Sequence, residues 1–369
     1  MSSWVKNINL EGDRTIWGVV LALSLSSILV VYSTAGWHFL FSHITKLLLG
    51  LFAMYVVHKI KFKYFSKIGQ LGFLFSLFLL VLVLLIGVSV NGASRWLQIA
   101  GQQFQPSDVA KLAILVYMAR QISKQRDYLH DFKELFWHVL GPLILVCVLI
   151  LPNNFSTAAL VFINGLVLMF VGKIRIKFIA AIIGFAFVGA LTIYATAKFT
   201  PLGTKIMPRS ATWVSRIDSY FVDAKGDEQT KDFQQTQALV AIQNGGMTGV
   251  GPGKSTQRNI LPYSSSDFIY AIIIEEYGLF GGVLALLFYL ILMFRAIRIA
   301  LRVESVFGSL LATGLMFSLV FQALINMLVS VEVLPVTGQT LPLISMGGTS
   351  IVFSCIAIGI VLSVSRDAT

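Results

Sequence analysis

The sequence predicts an all-α integral membrane protein, a polytopic bundle of about ten transmembrane helices with one large extracytoplasmic loop. Three observations predict it. Of 369 residues, 56% are hydrophobic and 12% charged, half of the roughly 25% that a water-soluble surface uses. The apolar residues come in runs of about 20, the length at which a helix crosses ~30 Å of hydrocarbon. Lys and Arg gather between alternate runs, as positive charge does when it is retained in the cytoplasm. Transmembrane strands would instead need alternating segments of about 10 residues.

The spans read near 15–35, 40–58, 69–89, 107–122, 137–151, 155–171, 177–197, 267–294, 305–330 and 349–364. The fifth and sixth are short and closely joined. Lys6, Arg14, Lys59 to Lys67, Arg120 to Lys133, Lys173 to Lys177, Arg295 to Arg302 and Arg366 all fall on one side. Among the short opposite loops Arg95 is the exception. Both termini are therefore expected in the cytoplasm. The net charge of +11 is explained by this placement, so no nucleic acid is expected as a partner. Cys147 and Cys355 lie inside apolar runs and read as small core residues rather than a disulfide or metal pair.

Residues 198–266 form the long loop, between the seventh and eighth spans. A loop above ~60 residues translocates largely regardless of its charge, so its Lys and Arg do not oppose the orientation. A polar stretch this long is functional or disordered. Its end, Gly245-Gly246-Met247-Thr248-Gly249-Val250-Gly251-Pro252-Gly253, favours function, because dense glycine lets backbone approach another group closely.

Charged residues at membrane depth are costly and point to function. Asp108 and Lys111 stand three apart on one helical face, and a structural ion pair is the plain alternative. Glu275 and Glu276 read as groups that hold helices together. His43 and Lys46 read as side chains reaching toward headgroups, and Glu332 precedes the last span. Asp267 is harder to explain structurally. It opens the eighth span where the polar loop meets the bilayer, so it can meet a lipid-linked polar substrate.

Four stretches carry a resemblance. Asn91-Gly92-Ala93-Ser94-Arg95-Trp96 with Gln105-Pro106-Ser107-Asp108-Val109-Ala110-Lys111-Leu112 is the first. Gln237 to Gly246, continuing into Leu261-Pro262-Tyr263-Ser264-Ser265-Ser266-Asp267-Phe268-Ile269, is the second. Glu275-Glu276-Tyr277-Gly278-Leu279 is the third, and Leu334-Pro335-Val336-Thr337-Gly338 through Ser345-Met346-Gly347-Gly348-Thr349-Ser350 the fourth. In order and spacing the chain resembles the SEDS family, FtsW and RodA, over essentially its whole length, as one membrane domain covering 1–369. Gly12-Asp13-Arg14-Thr15-Ile16-Trp17 and Val31-Tyr32-Ser33 look more like the division-type FtsW than the elongation-type RodA. Three positions depart from the family pattern: Gln103 and Asn259 replace common charged residues, and Asn153-Asn154 stands where Pro-Asp is usual.

The resemblance implies a peptidoglycan glycosyltransferase of the bacterial cytoplasmic membrane that polymerises lipid II into glycan strands at the outer face. It implies catalysis by Asp267 and substrate binding by Lys111 and Trp96. Arg95, Gln237 and Ser345 are carried with them as substrate-binding candidates. Implied partners are lipid II and the growing glycan strand, a class B penicillin-binding transpeptidase, other divisome or elongasome membrane proteins, and membrane lipid. The chemistry needs one positioned carboxylate as general base. It also needs positive charge on the pyrophosphate, from Lys111 and Arg95 or from a divalent cation such as magnesium or manganese. A lipid II flippase would instead call for polar residues through the midplane and an internal repeat. A non-catalytic scaffold would leave Asp267 without a role.

Overall fold

The computed structural model describes residues 11–90, 93–99, 102–126, 128–200, 209–223 and 233–368. Lys6, Asn91, Gly92 and two parts of the long loop, 201–208 and 224–232 with Lys205, Lys225 and Lys231, lie outside the described residues. The helices are α1 (Arg14–Lys59), α2 (Phe65–Ile86), α3 (Pro106–Lys124), α4 (Phe132–Ile150), α5 (Phe155–Val171) and α6 (Ile176–Phe199). They continue as α7 (Ser210–Asp223), α8 (Phe233–Gly245), α9 (Ile269–Arg302), α10 (Val306–Ser330) and α11 (Ser350–Arg366).

At 46 residues α1 would extend ~69 Å if straight, more than twice the bilayer core. It is not straight. Gly36 takes φ 73°, a left-handed conformation, and the chain doubles back there. Two contacts prove the hairpin: Ser27 Oγ lies 2.7 Å from His43 Nε2, and the Trp17 and His58 rings are 5.2 Å apart. With α1 as two arms, α2 to α6 and α9 to α11 bring the crossings to about ten, as expected from the sequence. Six of the described helices are long and apolar enough to cross on those grounds alone. The fifth span is a helix with a π-turn at Phe136–Leu140, next to Pro142, which has no N–H to donate back to that turn.

The first and last described residues share one end of the bundle, where the Asp13 N–H donates to Ser365 Oγ at 3.0 Å and Arg366 donates to the His58 carbonyl at 3.0 Å. Gly36 marks the other end. α10 is the central post, buried from Phe307 to Ser330, while α6 buries only Ile179 and Ile182 and stands at the periphery.

Three features depart from the sequence reading. The short segment before α3 is a three-stranded antiparallel sheet, β1 (Val88–Val90), β2 (Ala93–Ile99) and β3 (Gln102–Phe104), set on an otherwise helical fold. The long loop holds α7 and α8, so much of it is ordered structure rather than linker. The eighth span does not run straight from Asp267. Gly278, at φ 70°, folds α9 back, and the Tyr270 hydroxyl donates to the Gly282 carbonyl at 3.2 Å across the bend. Ile269–Tyr277 is thus a short buried arm and Leu279–Arg302 the spanning one.

Candidate active site

A polar cavity of about 540 Å³ opens at the end of the bundle opposite the termini. Its walls come from the second arm of α1, the sheet, the starts of α3 and α5, the segment before α9, α10, and the stretch between α10 and α11. Asp267, Lys111, Arg95 and Trp96, separated by up to 172 positions in sequence (267 − 95), line this one space.

Arg95 and Trp96 are neighbours on a strand, where adjacent side chains would point to opposite faces. The register explains how both reach the cavity. Val88 pairs with Trp96 but Ser89 pairs with Ser94, so Arg95 is the extra residue of a β-bulge, a device that re-aims side chains. Arg95 Nε is buried and makes no hydrogen bond to the protein. A guanidinium held this way has donor capacity left for a ligand.

Lys111 lies one turn into α3, which Pro106 opens at its first position. Its Nζ donates to Gln322 Oε1 at 2.6 Å. Asp108 instead accepts from Thr349 Oγ1 at 3.4 Å, and among the described residues no ion pair joins Asp108 to Lys111. The two charges still act on one another through space, but the hydrogen bond of Lys111 goes to Gln322 rather than to Asp108. Gln322 is itself fixed by donating to the Thr340 carbonyl at 2.9 Å.

Asp267 precedes the short arm of α9. Its carbonyl accepts from Asn326 Nδ2 at 2.6 Å, and the same amide donates to the Gln339 carbonyl at 2.7 Å. Burial pushes the Asp267 carboxyl above the ordinary carboxylate range. The Arg95 charge, a hydrogen bond from Ser266 and the Arg216 charge act against that rise. Burial likewise pulls the Arg95 guanidinium down, with Asp267 opposing it. The carboxylate and the two arginines thus form one electrostatic unit.

The backbone behind Asp267 is staked by the glycine-rich run. The Val250 N–H donates to the Glu275 carbonyl at 2.9 Å, and the Gly251 N–H to that of Glu276 at 3.0 Å. A Cβ at Gly245 would overlap the Ile274 carbonyl, so the close approach requires glycine there. Glu275 accepts from Ser255 Oγ, from Thr256 N–H at 3.1 Å and from Thr256 Oγ1 at 2.9 Å. Glu276 accepts from Ser33 Oγ. Both glutamates are buried acceptors, as the plainer reading had them, and the glycine run packs its backbone closely against theirs.

Two candidates fall outside the cavity. Gln237 lies on α8 and is not in the lining; the buried glutamine of that helix is Gln235, which donates to the Leu334 carbonyl at 2.9 Å. Ser345 is buried, with its hydroxyl donating to the Ser266 carbonyl at 2.6 Å and accepting from the Leu341 N–H at 2.8 Å. Its hydroxyl is engaged internally, and the carbonyl it binds belongs to the residue before Asp267. His43 and Lys46 do line the cavity, rather than only reaching toward headgroups. Sequence reasoning missed Gln322 and Asn326; the signal was two amides four apart inside an apolar span. Of the departures from the family pattern, Gln103 and Asn154 line the cavity, and Asn154 also caps α5 by accepting from the Thr157 N–H at 3.1 Å. Asn259 does not reach it.

An apolar cavity of about 250 Å³ adjoins the polar one, between α5, α6, α7 and α10. Gln339 lines both, and Arg216 lies on the apolar side.

The fold and cavity define a multi-pass membrane protein that brings two carboxylates, Asp267 and Asp108, and several cationic side chains together beside an apolar groove. The sequence profile of the FtsW/RodA/SpoVE family, described as cell cycle protein, matches residues 11–369, and the chain belongs to that family. A relative from Geobacter sp. strain M18 named probable peptidoglycan glycosyltransferase FtsW is 31% identical over 358 residues, spanning 95% of this chain and 93% of its own. Stage V sporulation protein E of Bacillus subtilis strain 168 is 33% identical over 322 residues, spanning 86% and 84%. Two solved structures share the fold. One, described as the structural coordination of polymerization and crosslinking by a peptidoglycan synthase complex, has a TM-score of 0.78 at 24% identity, over 96% of this chain and 98% of that one. The rod shape determining protein RodA of Thermus thermophilus has 0.68 at 23% identity, over 96% and 97%.

Proposed function

We propose that this chain is a peptidoglycan glycosyltransferase of the FtsW type, polymerising lipid II at the outer face of the bacterial cytoplasmic membrane. The observation that carries the reading is the placement of Asp267, Arg95 and Lys111 around one cavity at the end of the bundle away from the basic segments. Positive charge on the opposite end supports an outward-facing cavity with both termini inside.

In this reading the acceptor sugar hydroxyl gives its proton to the Asp267 carboxylate as its oxygen attacks the anomeric carbon of the donor. A new glycosidic C–O bond forms, the bond to the undecaprenyl pyrophosphate breaks, and direct displacement inverts the anomeric carbon. Lys111 and Arg95 supply positive charge to the departing pyrophosphate. Among the described residues no group of three His, Cys, Asp or Glu gathers to hold a metal, so a divalent cation such as magnesium or manganese would rest on a single cavity carboxylate, Asp267 or Asp108, together with pyrophosphate oxygens of the substrate, and would supply further charge neutralisation there. The apolar cavity beside Gln339 suits the polyprenyl chain. A class B penicillin-binding transpeptidase fits as partner, because strands must be crosslinked near where they emerge. The exposed stripe of α9, with Phe280, Leu284 and Leu287, offers a lipid-embedded face for its membrane helix.

The test is incubation of the purified chain with labelled lipid II, with and without a transpeptidase partner, followed by sizing of the products. Polymeric glycan is the expected product. Lipid II moved across a vesicle bilayer with no polymer formed would overturn the reading in favour of a flippase.

A further inference from the structure

At the end of the bundle that carries the termini, a cavity of about 290 Å³ opens between the start of α1, the end of α9 and the end of α11. Four guanidinium groups line it, Arg14, Arg295, Arg298 and Arg302, against one carboxylate, Asp13. That carboxylate is fully used. Oδ1 accepts the Thr15 and Ile16 N–H groups at 2.9 and 3.1 Å, and Oδ2 accepts Arg295 Nε at 2.8 Å and Nη2 as well. Beside this cavity Glu11 pairs with Arg366 at 2.7 Å, and among the described residues Arg14, Arg298 and Arg302 enter no ion pair. Residues 1–10 contain no Asp or Glu, so that stretch brings no side-chain carboxylate here. Three guanidiniums around one cavity repel one another until an anion joins them, and their planar forks match phosphate oxygens.

The surroundings decide which phosphate. On the turns of α9 that carry Arg298 and Arg302, Phe294, Ile297 and Leu301 are exposed at 57%, 41% and 81%. The Arg298 guanidinium lies 5.7 Å from the centre of the Phe294 ring, so charge and apolar surface meet at one place. A free phosphate would use only the charge. A phosphate diester with acyl chains uses both.

We propose that this cavity binds the headgroup phosphate of an anionic phospholipid of the inner leaflet, held by Arg14, Arg298 and Arg302, with acyl chains along Phe294, Ile297 and Leu301. The proposal uses no residue of the Asp267 cavity and stands apart from the glycosyltransferase reading. Its consequence is mechanical. The lipid fastens one end of α9, the helix that at its other end turns at Gly278 into the arm behind Asp267.

Phosphatidylglycerol and phosphatidylcholine retained by the purified full chain would be compared by native mass spectrometry. The chains compared are the wild type, Arg298→Gln/Arg302→Gln and the control Lys61→Gln/Lys63→Gln, all at exposed positions of the same end. The wild type and the control are expected to prefer phosphatidylglycerol, and the arginine variant to lose about 30-fold in that preference. Arg14→Gln, a single change at another wall, should weaken it in the same direction and serves if the double variant does not purify. Equal loss in the lysine control, or none in the arginine variants, would overturn the site as mere surface attraction. Displacement of phosphatidylglycerol by inorganic phosphate or glycerol phosphate at matched concentration would assign the cavity to a soluble phosphate compound and overturn the lipid.

Discussion

Asp267 is held between burial, which favours its neutral acid, and two arginines with a serine, which favour the ion. A carboxyl raised on folding contributes stability that is present below the ordinary carboxylate range and lost as pH rises through its raised value. Catalysis by the ionised base runs the other way. Turnover is expected to fall as pH drops through that raised value, at a higher pH than an ordinary carboxylate would give. A pH profile of polymerisation measures it, and an acid limb near pH ~4, the ordinary value, would contradict the burial. Lys111→Ala should lower turnover by about 10²–10³-fold if its charge meets the leaving pyrophosphate. Gln322→Ala, which removes only the partner that aims Lys111, should cost less, and the reverse order would make the pair structural. At this scale much was legible: Asp267, Lys111, Arg95 and Trp96 converge as the motifs suggested. Ser345 and Gln237 did not, because a motif marks a residue as needed without saying whether its side chain faces the cavity or the backbone beside it.

The elements that matter most are those that bend. α1 and α9 each read as apolar sequence, and hydropathy carries no information on direction, so the turn at Gly278 was not legible. Its effect is large, since it converts the start of an expected span into a buried arm that holds Asp267 at the cavity. Gly278→Ala forces a side chain into a left-handed conformation and against the Met247 carbonyl. It is expected to destabilise the protein by about 1–3 kcal/mol and to lower activity with it. Gly184→Ala, on α6 with open space around it, is the matched control. Thermal unfolding in detergent reads both, and equal midpoints would contradict the role given to the turn. The β-bulge at Arg95 was equally hidden, because it is a property of strand register and not of residue type.

On the scale of the whole molecule, charge placement alone predicted which ends of the spans share a side, and the bundle agrees: the termini and the basic segments gather opposite the Asp267 cavity. In a chain with Cys147 and Cys355 replaced by serine, Thr212→Cys on α7 should react with an impermeant thiol reagent in intact cells, and Lys133→Cys should not. Reaction at Lys133→Cys alone would invert the orientation. The long loop was legible in extent but not in structure, because α7 and α8 are stabilised by packing against distant elements rather than by their own sequence. Lipid II binding and polymerisation would be measured side by side for the wild type, Asp267→Asn and Glu275→Gln. Asp267→Asn keeps size and hydrogen bonding but removes the base, so turnover should fall by about 10²–10⁴-fold while binding changes far less. Polymerisation by Asp267→Asn at near the wild-type rate would remove Asp267 as the general base.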